Sequence, residues 1–87
     1  MELVMITQEG CGPCEAMKSM APRKAKMKGF DFRIVKLESM PENIRPPYTP
    51  YFYVMDGDKI IEEWGGPNMQ KMSSVLTRIN KKENNNE

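Results

Sequence analysis

Two cysteines, Cys11 and Cys14, stand three positions apart with Gly12 and Pro13 between them, directly after an apolar run and at the head of a helical pattern. No other feature of the chain constrains its fold as much. Residues 3–7 form a continuous run that is apolar up to its closing threonine, the pattern of a strand covered on both faces. Gln8-Glu9-Gly10 breaks the run. Apolar positions then recur at helical spacing to about residue 28, with Cys14, Met17, Met20 or Ala21, Ala25 and Met27 able to share one inner side. Pro13 suits the first helical turn, where its missing N–H has no intrahelical partner in any case. Pro22 predicts a kink or interruption, and Gly29 an end. Residues 30–37 read as a second strand, with Phe32, Ile34 and Lys36 alternating against Arg33, Val35 and Leu37. Strand, helix and strand in this order make a right-handed parallel crossover.

The second half reads differently. Residues 41–45 have room for one short helical turn. Residues 45–50 carry three prolines, Pro46, Pro47 and Pro50, and are too stiff and too poor in N–H donors for a sheet interior. Tyr51 to Met55 is an aromatic and apolar strand, Asp56-Gly57 a hairpin signal, and Lys59 to Trp64 a returning strand with charges on both faces, as an edge demands. Asn68 is a good N-cap for a helix whose apolar stripe is Met69, Met72, Val75, Leu76 and Ile79. Residues 80–87 are polar and low in complexity and read as a frayed tail. The expected architecture is α/β: β-α-β, a linker, then β-β-α, with one mixed four-stranded sheet flanked by helices. The domain is expected over residues 1–80 and a flexible polar tail over 81–87.

Composition removes several functions. A chain of 87 residues holds one domain. Net charge is +1, so bulk electrostatics argue for neither a nucleic-acid nor a membrane partner. No segment approaches the roughly 20 apolar residues that span a bilayer. The N-terminal run is short and flanked by Glu2, unlike a secretory signal with its basic flank. A cytoplasmic setting is therefore expected, where thiols stay reduced and a cysteine pair points to catalysis or metal binding ahead of a structural staple. The chain has no histidine, which removes the commonest general base.

A C-x-x-C pair within a βαβ pattern is a redox cue. A cysteine just before a first helical turn faces unpaired backbone N–H groups and the positive end of the helix dipole. Both favour thiolate over thiol. That assigns Cys11 as the attacking sulfur and Cys14, one turn later on the inner side, as the resolving one. Half a zinc site is the main alternative, but zinc needs four ligands and only a symmetric dimer of this chain would supply them. Two unrelated buried cysteines are a second alternative, opposed by the Gly-Pro between them.

With these residues in place, the chain resembles the thioredoxin superfamily over residues 2–80. Cys11-Gly12-Pro13-Cys14 has the form of the thioredoxin active site. Val35-Lys36-Leu37-Glu38 resembles the strand that carries a lysine near that site. Thr49-Pro50 resembles the cis-proline facing the cysteines, and Asp56-Gly57 with Trp64-Gly65-Gly66 the hairpin and glycine loop beyond it. The chain departs from full thioredoxins in three ways. It lacks their extra N-terminal strand and helix, so its size resembles glutaredoxins and the small redoxins that serve ribonucleotide reductase. Gly10 stands where thioredoxins have tryptophan, and Met5 where they have a buried acid.

The resemblance implies a minimal thioredoxin fold and a monomeric thiol–disulfide oxidoreductase that reduces protein disulfides. The redox-active disulfide Cys11–Cys14 would stand in place of any cofactor or metal. Thr49, Pro50, Gly65 and Gly66 would bind substrate, and Lys36 would serve proton transfer or electrostatics. Expected partners are disulfide-containing proteins, ribonucleotide reductase among them, and a thioredoxin-reductase-like electron donor. A glutathione-dependent glutaredoxin activity is disfavoured by Gln8, Glu9 and Glu15 beside the motif. A non-catalytic binding module on the same fold is the remaining alternative.

Overall fold

A computed structural model describes residues 1–84. The elements follow in order as β1 (Glu2–Thr7), α1 (Gly12–Met27), β2 (Asp31–Lys36), two 3₁₀ turns at Leu37–Ser39 and Glu42–Ile44, β3 (Tyr51–Asp56), β4 (Lys59–Gly65) and α2 (Met69–Asn84). The strands form one sheet in the order β2-β1-β3-β4. β1 pairs parallel with β2 and antiparallel with β3, and β3 pairs antiparallel with β4. The parallel pair demands the α1 crossover, and the antiparallel pair needs only the turn at Asp56-Gly57. Gly57 adopts φ 65°, the left-handed geometry a tight hairpin turn asks for.

The alternation of β1 and β3 sorts side chains to two unlike faces. Leu3, Met5, Phe52 and Val54 point to one, where they meet Cys14, Met17, Ala21 and Ala25 of α1 and Met72, Val75, Leu76 and Ile79 of α2. Val4, Ile6 and Tyr53 point to the other, covered by Val35, Leu37, Met40, Tyr51 and Met55. Both long helices thus share one face, a more one-sided arrangement than a sheet with helices on both. The opposite face is closed by side chains of the sheet and by the turn around Met40.

Helix α1 runs unbroken through Pro22, so the expected interruption does not occur. Its inner stripe is Cys14, Met17, Ala21 and Ala25. Met20 and Met27 lie outside it, and Met27 is 74% exposed at the last turn. Ile34 is likewise exposed at the free edge of β2. Asn68 caps α2 as expected, its Oδ1 accepting the Lys71 N–H at 3.0 Å. The helix does not end at residue 80 but continues to Asn84. Lys81 and Lys82, both exposed, carry the helix on without disturbing the buried stripe, so the expected tail loses its first residues to α2; residues 85–87 lie outside the described part. A bulge between Val54 and Met55 leaves Ile61 without a β3 partner. As a result Ile61 and Glu62 both serve the helix side, one packing on the core and the other pairing with Arg78 of α2.

Candidate active site

The site grows from the junction of β1 and α1. Thr7 closes β1 as a buried residue, Gln8 to Gly10 turn the chain, and the Cys11 N–H returns to the Gln8 carbonyl at 3.3 Å. Gly10 takes φ 77° in this turn, a conformation that a residue with a Cβ adopts only at a cost. Cys11 is the N-cap of α1, in extended conformation, and its Sγ accepts the Cys14 N–H at 3.2 Å. A serine or aspartate oxygen usually does this job. Here the sulfur itself meets one of the unpaired N–H groups of the first turn, at the end of the helix where negative charge is favoured.

Cys11 and Cys14 are joined as a disulfide, with Cα atoms 5.2 Å apart. The two sulfurs are not equivalent. Cys11 is partly exposed, whereas Cys14 is 0% exposed and packed in the core with Met5 and Met17. Gly12 and Pro13 form the exposed outer side of the first turn. Met5 is fully buried in the same cluster, so the surroundings of Cys14 are apolar.

The Thr49–Pro50 bond is cis, as the resemblance implies. Thr49 Oγ1 donates to Gln8 Oε1 at 3.2 Å, which ties this loop to the cysteine turn. Pro50 is buried and its carbonyl accepts the Gly66 N–H at 2.8 Å. Among the described residues, the main-chain N–H and C=O of Thr49 have no hydrogen-bond partner.

The two glycines of the adjoining loop behave differently. Gly66 takes φ 95°, where a side chain would be strained, and the space above it is open. Gly65 is not open to a substrate backbone. A Cβ there would lie 2.6 Å from the Tyr48 Oη and 2.7 Å from its Cζ, so the Tyr48 ring occupies the place of the missing side chain. From sequence, Tyr48, Tyr51 and Tyr53 read as a mix of core and rim beside the proline, with no contact to Gly65 expected. The contact of Tyr48 with Gly65 spans two separate segments, and no local pattern announces it.

Lys36 pairs in register with Thr7 at the edge of the sheet. It is exposed and lines a hollow of about 370 Å³ with Thr7, Gln8, Glu9, Gly10, Glu15 and Lys18. Lys18 is held by Glu15 at 2.9 Å, which leaves Lys36 as the unpaired cation of that hollow among the described residues. Trp64 is 6% exposed and stacks on Phe52 with ring centroids 5.4 Å apart.

A four-stranded mixed sheet with a cysteine pair at the head of its crossover helix, and a cis-proline facing the loop before it, defines the thioredoxin fold. Solved structures agree. Thioredoxin 1 of Thermosipho africanus superposes with a TM-score of 0.83 at 16% identity, over 97% of this chain and 99% of that one. Fasciola hepatica thioredoxin gives 0.76 at 22% identity, over 87% and 77%. The periplasmic thioredoxin SoxS of Paracoccus pantotrophus gives 0.71 at 21% identity, over 92% and 95%. No protein-family model and no curated protein sequence matches the chain. The fold is therefore that of thioredoxins, and with its close cysteine pair it supports thiol–disulfide oxidoreductase chemistry in general terms. No helix among the described residues is long and apolar enough to cross a membrane.

Proposed function

We propose that this protein is a protein-disulfide reductase of the thioredoxin type, working in the cytoplasm by dithiol exchange. The observation that carries the proposal is the asymmetry of the two sulfurs: Cys11 is accessible and held by an N–H of the first helical turn, and Cys14 is sealed in the core.

In the reduced protein the Cys11 thiolate attacks one sulfur of a substrate disulfide. A bond forms between Cys11 Sγ and that sulfur, the substrate S–S bond breaks, and the departing thiolate takes a proton from water. The Cys14 thiol then gives up its proton to water and its sulfur attacks Cys11 Sγ. The mixed disulfide breaks, the second substrate sulfur leaves as a thiolate that takes up a proton from water, and the enzyme holds the Cys11–Cys14 disulfide. Two electrons from a dithiol donor of the thioredoxin-reductase kind restore it. The unpartnered main chain of Thr49 suits capture of an extended substrate segment as an added strand, and the open space at Gly66 lets that segment come close.

An insulin-reduction assay tests this, run once with a thioredoxin reductase and once with glutathione as electron source. Cys11→Ser should abolish turnover. Cys14→Ser should trap a mixed disulfide visible by mass spectrometry; equal loss in both variants with no adduct would overturn the assignment. With Gly-Pro between the cysteines, the potential is expected near that of thioredoxin, about −270 mV, and a value above roughly −150 mV would mark an oxidant instead. A second reading, in which anionic glutathione is the electron source, rests on Lys36, the unpaired cation of its hollow, against Glu9 and Glu15 in the same lining. Turnover driven by glutathione alone would select it.

A further inference from the structure

The sheet face without helices carries a feature that disulfide exchange does not use. Tyr53 lies directly across from Glu63, and Tyr51 directly across from Gly65. Positions 63 and 65 alternate onto this same face. Because residue 65 has no side chain, the Tyr48 ring reaches across and fills the gap. Three tyrosines therefore stand in a row, with ring centroids 5.9 Å apart from Tyr48 to Tyr51 and 5.3 Å from Tyr51 to Tyr53, tilted by 50° and 59°. One carboxylate belongs to the row: Glu63 Oε1 accepts the Tyr51 hydroxyl at 2.8 Å.

That carboxylate has no cation. Among the described residues the ion pairs are Lys18–Glu15, Arg33–Glu2 and Arg78–Glu62. Its neighbour Glu62 is matched on the helix side, and Glu63 is not. Tilted aromatic rings beside an unmatched carboxylate are suited to a guanidinium, which stacks on a ring face and pairs with the acid in one plane. The row also begins next to the substrate strand. Tyr48 directly precedes Thr49, and at 54% exposure its outer side is accessible.

We propose that Tyr48, Tyr51 and Glu63 form a cation subsite that receives an arginine side chain flanking the reactive cysteine of a polypeptide substrate. This deepens the reductase reading and rests on it. A segment paired on the Thr49 main chain passes beside Tyr48, and an arginine one or two residues from its cysteine has the length to lie along the ring toward Glu63. Lysine would fit less well, having no planar group to stack.

The test uses symmetric disulfide peptides in which the residues flanking cysteine are arginine, alanine or leucine. The expected kcat/KM for the arginine peptide exceeds that for alanine by about 3- to 10-fold at low salt, and the preference weakens as salt rises. Glu63→Gln should bring the arginine-to-alanine ratio down to about 2-fold or less, and Tyr48→Ala should lower it too. Glu62→Gln, on the helix side, should keep the ratio. Cysteine-free versions of the arginine and leucine peptides, followed by NMR, report binding apart from turnover. Turnover of all three peptides with no arginine preference, or with leucine ahead, overturns the subsite and leaves the reductase standing. Lack of any turnover, with arginine-specific shifts at Tyr48, Tyr51 and Glu63, overturns the reductase and keeps the subsite. Neither turnover nor shifts overturns both.

Discussion

The two faces of the sheet do different work. On the helix side Leu3, Met5, Phe52 and Val54 are buried under two amphipathic helices, and Trp64 stacks on Phe52. On the other side Val4 and Ile6 are covered only by residues of the sheet itself and by the 3₁₀ turns. The first face holds apolar side chains at full burial, each contributing about 1.5–3 kcal/mol. The second presents phenols and a carboxylate to solvent. Stability is concentrated under the helices, and the side they leave open carries the proposed arginine subsite.

Substitutions on the two faces give the largest contrast. Phe52→Ala should cost about 3–5 kcal/mol, since it removes a large buried ring and leaves Trp64 without its stacking partner. Val35→Ala on the open face should cost about 1 kcal/mol or less, its side chain being only partly buried. Urea unfolding followed by the fluorescence of Trp64 measures both. Equal losses would show that the open face is as much a core as the other.

Gly65→Ala tests the link between stability and recognition. The added methyl displaces the Tyr48 ring, which is exposed enough to swing away, so stability should change by no more than about 1 kcal/mol. Turnover of a polypeptide disulfide should nevertheless fall several-fold, because Tyr48 directly precedes Thr49, where the substrate segment is proposed to pair. Unchanged turnover would mean that Tyr48 is only a cover for β3.

The smallest effect is a pH dependence confined to the open face. The Tyr51 phenol is pushed up to about 12, first by its hydrogen bond to Glu63, then by burial and by the charge of Glu63. Tyr53 is raised too, by burial and then by Glu63. A raised pKa means that the folded state holds the proton where the unfolded chain has begun to lose it. The resulting stability is complete below about pH 10, the ordinary phenol value, and disappears as pH rises through about 12. Comparing the wild type with Glu63→Gln between these limits isolates this contribution. Ultraviolet titration of the phenols should show the Tyr51 transition, and to a smaller extent that of Tyr53, moving down in the variant; identical curves would mean that Glu63 does not govern Tyr51.

Most of the fold was legible because strands and amphipathic helices write their period into the chain. All four strands lie within about a residue of the expected bounds: residues 3–7, for example, against Glu2–Thr7. The cysteine turn, the Asn68 cap and the Asp56-Gly57 hairpin were legible for a similar reason, since each is a local motif. What escaped notice depends on contacts distant in sequence. No periodicity says that α1 and α2 share a face, or that Trp64 finds Phe52. Nor does Gly65 announce that it holds a tyrosine ring. The continuation of α2 to Asn84 was hidden because outward-facing polar residues look alike in a helix and in a tail.

The sulfur of Cys11 is both the cap of a helix and a redox atom. Folding and electron transfer are thereby joined in one closed thermodynamic cycle. Any difference in unfolding free energy between the oxidised and reduced protein must reappear as a difference in reduction potential between the folded and unfolded chain, about 30 mV for each 1.4 kcal/mol. An electron donor that meets this protein therefore senses more than a pair of thiols: through the first turn of α1, the packing of an entire sheet face enters the voltage at which the electrons are exchanged.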